Sequence, residues 1–200
     1  MAKSMSEQLI VKPTAEGLMA SVQAAGKGAG PAPVHLWNPA FCGDLDMRIA
    51  RDGTWFYLGT PIGRPALVKL FSNILKLEDG KYFLVTPVEK VGITVDDAPF
   101  VAVDFNVSGA GTTQNVRFVT QIGDAVTAGA AHPLRVIRDA ESDEPSPYVM
   151  IRAGLEALID RKSFYRLVEI CTHARHEGAD WFGLWSDGVF FPVIPSANLA

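Results

Sequence analysis

The sequence predicts an α+β fold made of two related halves, each a hairpin, a helix and a further strand, with mainly antiparallel sheets. Three ordered internal matches carry this. Asp79-Gly80-Lys81-Tyr82-Phe83-Leu84-Val85-Thr86-Pro87 matches Asp187-Gly188-Val189-Phe190-Phe191-Pro192-Val193-Ile194-Pro195, with five identities. Upstream, Ile62-x-Arg64-x-x-Leu67-Val68-Lys69-Leu70-Phe71 resembles Ile159-x-Arg161-x-x-Phe164-Tyr165-Arg166-Leu167-Val168. Further upstream, Ile49-Ala50-Arg51-Asp52-Gly53 resembles Met150-Ile151-Arg152-Ala153-Gly154. A unit of roughly forty to sixty residues is the scale at which repeats report architecture.

The elements follow in order. Pro13-Thr14 offers a helix start, with Leu18, Met19, Val22 and Ala25 at helical spacing, although Gly17 lowers propensity there. Gly26 to Pro33 is a Gly/Pro linker by composition. It lacks the terminal Gly-Lys-Ser/Thr and the preceding strand of a phosphate loop. Met47–Arg51 and Thr54–Leu58 flank Asp52-Gly53, a strong hairpin signal. Pro65 suits a first helical turn, and Leu67, Leu70, Phe71, Ile74 and Leu77 extend that helix toward Gly80. Strands are expected at 82–85, 92–95, 100–107, 116–122 and 134–137, the central ones consecutive and antiparallel, with Gly and Pro clusters between them. Residues 140–147 are acidic and proline-rich, an exposed loop by composition.

The second copy begins with 148–152 and 155–159 around Ala153-Gly154. The latter segment also has helical propensity, but the β-rich counterpart at 54–58 argues for strand. Asp160 is placed as an N-cap, Phe164, Leu167, Val168, Cys171 and Ala174 form a stripe, and Gly178 is placed as a C-cap. Strands 181–186 and 189–194 around Asp187-Gly188 complete the copy. The expected divisions are 1–33 as helix and linker, 34–97 as the first half and 98–200 as the second.

Composition narrows the function classes. The 200 residues are 48% hydrophobic and 20% charged, which suits a cored globular protein. A net charge of -4 argues against general nucleic-acid binding while leaving a nucleotide as a ligand class. Cys42 and Cys171, the only two cysteines, do not make a disulfide framework. No apolar run reaches transmembrane length, and the N-terminal residues lead into no apolar h-region. The expectation is a cytoplasmic protein.

Candidate chemistry is sparse. On the expected helix, Cys171 lies in the apolar stripe while His173 and His176 share another face near the C-terminus, where cations are favoured, so no metal site is expected. The densest polar cluster is His35-Leu36-Trp37-Asn38-Pro39-Ala40-Phe41-Cys42-Gly43-Asp44-Leu45-Asp46-Met47-Arg48. If Asp46 opens a strand, Asp44, Asp46 and Arg48 share a face. Such a row is either an ordinary charged ladder or a site for a hard cation. The four tryptophans, Trp37, Trp55, Trp181 and Trp185, read as core or interface residues. Arg51, Arg64, Arg152 and Arg161 fall at equivalent points of the two copies, and arginine pairs bidentately with carboxylate or phosphate. Nucleophile-elbow, kinase and dinucleotide fingerprints are absent, and Cys42 with His35 seven residues earlier lacks a hydrolase spacing.

Several segments together are distinctive: 33–39, Cys42-Gly43-Asp44-Leu45-Asp46-Met47-Arg48-Ile49, Asp52-Gly53-Thr54-Trp55-Phe56-Tyr57, Gly59-Thr60-Pro61-Ile62, 84–90 and Pro147-Tyr148-Val149-Met150-Ile151-Arg152. Over residues 30 to 195 the chain resembles the bacterial family called domain of unknown function 1285. The resemblance implies a duplicated α+β structure whose second half is loosely similar to pleckstrin-homology-like domains. It implies a binding or signalling role and brings no catalytic residues.

The combined expectation is a non-catalytic, regulatory binding module without a cofactor or metal, holding an anionic small molecule or protein partner between its halves. His35, Asn38, Asp44, Asp46, Arg48, Arg51, Arg152 and Arg161 are the expected ligand-binding residues. The alternative is a metal-dependent hydrolase with Asp44 and Asp46 on the cation and His35 as base.

Overall fold

In the computed structural model, residues 14–24 and 31–199 are described. Pro13 of the expected helix start, Ala25 and residues 26–30 of the expected linker lie outside them. The chain is mostly sheet, with three α-helices among the described residues, and forms two compact units. One contains the described residues up to Met47 together with Tyr57–Thr94. The other contains Arg48–Phe56 and the chain from Val95 onward.

The first unit opens with α1 (Ala15–Ala24), on which Leu18 is fully buried. A single 3-10 turn, Val34–Leu36, follows. The strand β1 (Phe41–Ile49) buries Leu45, Met47 and Ile49 and exposes Asp44, Asp46 and Arg48. This is the two-residue period of a strand with one covered face. Next come β2 (Trp55–Tyr57), of which Trp55 and Phe56, like Arg48 and Ile49 of β1, are counted with the second unit, then β3 (Thr60–Pro61) and α2 (Pro65–Asn73), which starts on its proline and buries Phe71 and Ser72. The strands β4 (Leu75–Glu78), β5 (Lys81–Val85) and β6 (Lys90–Val95) then form an antiparallel meander. The sheet order is β3-β2-β1-β6-β5-β4.

The helix expected to reach Gly80 stops at Asn73. Asp79 and Gly80 both have positive φ, 49° and 74°, the backbone of a tight hairpin turn rather than a helix cap. Leu77 therefore pairs across the sheet with Tyr82. Leu75 and Leu77 fit a strand alternation as readily as they extend a helical stripe, and the turn decides between them.

In the second unit β7 (Phe100–Ser108), β8 (Asn115–Thr120), β9 (Ala125–Thr127), β10 (Leu134–Arg138), β11 (Pro145–Arg152) and β12 (Leu155–Ile159) form one sheet, ordered β10-β11-β12-β7-β8-β9. The segment 155–159 is strand, and Ala153 and Gly154 make its turn with φ of 44° and 80°. The central strands are not all consecutive antiparallel neighbours. β12 lies parallel to β7, with Leu158 opposite Val101, and β10 pairs with β11 rather than β9. The expected strand at 116–122 ends at Thr120, and a turn through Gly123 leads into β9.

The acidic loop is also shorter than expected. Pro145, Ser146 and Pro147 pair with Arg138, Ile137 and Val136. β11 and β12 pair no further in this direction than Tyr148 with Leu158, so the prolines occupy strand positions that need no second set of backbone bonds.

Asp160 caps α3 (Arg161–Val168), its carboxylate accepting from the Ser163 amide at 2.7 Å. This helix also ends early. Residues Thr172–His176 form β13, followed by β14 (Ala179–Ser186), β15 (Val189–Pro195) and a 3-10 turn at Ser196–Leu199. Glu177 and Gly178, with φ of 49° and 84°, make the β13–β14 turn where a C-cap was expected. The buried Ser186 hydroxyl joins this three-stranded sheet to its unit, donating to the Ala128 carbonyl at 2.7 Å and accepting from the Val116 amide at 2.9 Å.

Candidate functional site

The hairpin tip containing Arg51 belongs to the second unit. At its apex Gly53 has φ +85°, and a Cβ there would lie 2.8 Å from Gln121 Nε2 and 3.0 Å from Val101 Cγ2. Glycine is required both by the turn and by this approach. The tip is thereby fixed, and Arg51 Nη2 donates to Ser146 Oγ at 2.8 Å. Its Nε faces Asp97 Oδ2 at 3.3 Å, a Coulombic contact without a directed hydrogen bond. Asp97 Oδ1 accepts from the Tyr148 hydroxyl at 2.8 Å. Burial, then the hydrogen bond to Asp97, raises the Tyr148 pKa and keeps the phenol protonated. Arg135 stacks over the Tyr148 ring at 4.8 Å and donates twice to Glu156, which raises its own pKa.

Beside this network is a hollow of about 260 Å³. It opens where β11 and β12 cease to pair, between Glu144–Pro147 and Leu158–Arg161. Phe164 and Tyr165 of α3 supply an apolar wall, and Arg51 reaches in from the hairpin tip. Arg161 donates to the Tyr165 hydroxyl from Nε at 3.2 Å and from Nη2 at 3.1 Å. That bond is the main cause of its raised pKa, with Glu144 contributing electrostatically. The hollow thus offers two guanidinium groups, the two carboxylates Glu144 and Asp160 and an apolar body, the arrangement expected for a small organic ion.

The expected site residues divide. Arg51 and Arg161 line this one hollow. Arg152 does not join them. It ion-pairs with Asp124 and lies over the Phe100 ring at 4.9 Å, with both charged side chains less than one-fifth exposed. Arg48 pairs with Asp96 and stacks over Phe56 at 4.6 Å. These two arginines hold framework. In the first unit His35 and Asn38 are exposed, and Asp44 and Asp46 lie on the exposed face of β1. The Asp44 carboxylate covers Gly92, where a Cβ would fall 2.1 Å from Oδ1. Among the described residues no three His, Cys, Asp or Glu side chains converge as a cation cluster, so Asp44, Asp46 and His35 do not form one.

Cys171 is half-buried, and burial pushes its thiol up to about 12. Glu169 and His173 are exposed. His173 stacks on Phe182, His176 on Phe190. On β13, three residues apart, the two histidines face opposite ways, so the shared helical face expected for them does not exist. Tyr165, Glu144 and the Pro145–Pro147 wall were not among the expected site residues. The arginine spacing of the repeat pointed to their neighbourhood, but only the unpaired end of β11 reveals the hollow.

The family model described as "Domain of unknown function (DUF1285), N-terminal domain" matches residues 32–98, and "Protein of unknown function (DUF1285), C-terminal domain" matches 99–193. The chain belongs to the DUF1285 family. A crystal structure of a DUF1285 family protein from Silicibacter pomeroyi DSS-3 is 61% identical, with TM-score 0.83, covering 92% of this chain and 97% of that one. A second, from Shewanella baltica OS155, is 31% identical with TM-score 0.50, covering 62% of this chain and 91% of that one. No curated protein matches. No helix among the described residues is long and apolar enough to cross a membrane.

Proposed function

We propose that this DUF1285 protein is a non-catalytic, cytoplasmic binding module with a regulatory role, which takes a small organic anion into the hollow of its second unit. One observation carries this reading: Arg51 and Arg161, from segments more than a hundred residues apart, line the same cavity. Arg51 is not locked by directed bonds to Asp97, and its side chain is 61% exposed. Its Nη groups can therefore turn toward a carboxylate or phosphate while Nε stays beside the buried Asp97 Oδ2. Phe164, Leu158 and the prolines take up the apolar part of the ligand.

The experiment is a calorimetric and thermal-shift screen of nucleotides, phosphorylated sugars and organic acids, each with and without magnesium or manganese. The expected result is stabilisation without metal that falls in Arg51→Ala and Arg161→Ala. A charge-assisted contact of about 1.5–3 kcal/mol corresponds to roughly tenfold to more than a hundredfold in affinity. Binding that survives both substitutions overturns this site. Metal-dependent turnover lost in Asp44→Asn or Asp46→Asn overturns the non-catalytic reading in favour of the hydrolase.

A further inference from the structure

The first unit contains a second hollow, of about 220 Å³. Ile62, Arg64 and Leu67 line it, whereas Ile159, Arg161 and Phe164 line the hollow of the second unit. These are matched residues of the internal repeat, position for position. Two cavities formed independently by matched residues are a stronger signal than either cavity alone.

The remaining lining residues differ between the copies, yet each hollow gains carboxylate, tyrosine and apolar surface. In the second unit Glu144, Asp160, Tyr165 and a second arginine, Arg51, accompany Arg161. In the first unit Glu16 of α1 and Tyr57 of β2 accompany Arg64. Pro61 and Phe71 add apolar surface there, as Pro145 and Leu158 do in the other hollow. Tyr57 is held in place by the Ala15 amide, which donates to its hydroxyl at 3.4 Å. Arg64 and Glu16 are both exposed, and among the described residues neither side chain has an ion-pair partner.

We infer that each unit carries one site for a small zwitterion with an apolar side chain, such as a hydrophobic amino acid. The arginine takes the carboxylate, the glutamate takes the ammonium group, and the aromatic, aliphatic and proline surface takes the side chain. Both signs of charge line each hollow, Arg64 with Glu16 in the first unit and Arg51 and Arg161 with Glu144 and Asp160 in the second, so a ligand carrying an ammonium beside its carboxylate meets a partner for each group. This inference rests on the reading of the second-unit hollow as a ligand site, and it adds both a second site and a ligand class.

The test is calorimetry of the full chain with L-phenylalanine, with 3-phenylpropanoate, which lacks the ammonium, and with phenethylamine, which lacks the carboxylate. The expected result is two equivalents of L-phenylalanine and at least tenfold weaker binding of the other two probes. Arg64→Ala removes one equivalent, Arg161→Ala removes the other, and Glu16→Gln and Glu144→Gln each weaken one site. These side chains are exposed, and circular dichroism confirms that each variant is folded. One equivalent, lost in Arg161→Ala and unchanged in Arg64→Ala, overturns the second site while the second-unit reading stands. Equal binding of 3-phenylpropanoate overturns the zwitterion. No binding of any probe, with another organic anion bound through Arg161, overturns this inference alone. Binding untouched by Arg64→Ala and Arg161→Ala together overturns both readings.

Discussion

At single residues, backbone geometry and burial decide more than residue type. Gly53 is the sharpest case, because its φ of +85° and the contact that an added methyl group would make with Gln121 penalise any side chain. Gly53→Ala is expected to destabilise by more than about 1 kcal/mol, since the native conformation is incompatible with alanine. Urea unfolding checks this, and a midpoint equal to that of the parent would show that the hairpin tip adapts. The same loss should loosen Arg51 and weaken binding at the second-unit hollow. Cys171 is a case of burial alone, with a thiol near 12 that is almost wholly protonated at pH 8. Iodoacetamide is expected to label it at least about tenfold faster in urea than in the folded protein, as followed by peptide mass spectrometry. Equal labelling rates would contradict the burial. That Cys171 is apolar in character was legible from its spacing, but the strand that follows it was not.

At the level of elements, the two helices of the repeat begin where the sequence places them and end earlier. Pro65 and Asp160 are local signals, legible without knowledge of the rest of the chain. Asp160→Ala removes the carboxylate that accepts from Ser163 and is expected to cost about 0.5–2 kcal/mol. Equilibrium denaturation measures it, with Asp160→Asn, which retains a capping oxygen, expected to recover most of the loss. A stability change below about 0.2 kcal/mol in Asp160→Ala would remove the cap from the account. The helix ends are ambiguous in the sequence because the apolar stripe of each helix runs on past its end, through Leu77 in one copy and through Cys171 and Ala174 in the other, while Leu75 and Leu77 also fit a strand alternation. The following Asp79-Gly80 and Glu177-Gly178 pairs then serve as hairpin turns, a choice made by the strands they join.

Across the whole molecule, carboxylates in both units are held below their usual range. Asp52 is lowered by the Thr54 amide, Asp104 by Arg166, Asp139 by the Ser142 amide and Glu78 by Lys90. Each has a folded pKa below its unfolded one, so each contributes stability that is fully present above its ordinary value of 3.8 or 4.5. That contribution is lost as pH falls through the lowered folded values. Stability is therefore expected to be level from pH 7 to about 5 and to decline below about 4, as urea midpoints at each pH would show. Asp104→Asn should flatten part of this acid limb, whereas an unchanged limb would mean that Arg166 holds Asp104 no more tightly than water does.

Taken by itself, the sequence determined what is encoded locally: an α+β chain of two repeat-like halves, the hairpins at Asp52-Gly53 and Ala153-Gly154, the helix starts, and the alternation that exposes Asp44, Asp46 and Arg48. Tertiary structure alone decided which strands pair at long range, as in the parallel contact of β12 with β7. It also decided which arginines are consumed by Asp96 and Asp124 and which are left at a cavity. The physical reason is that turns, caps and periodicity depend on neighbours a few residues away. An ion pair or a hollow depends on groups brought together from distant segments, and identical arginines in a repeat therefore acquire different partners.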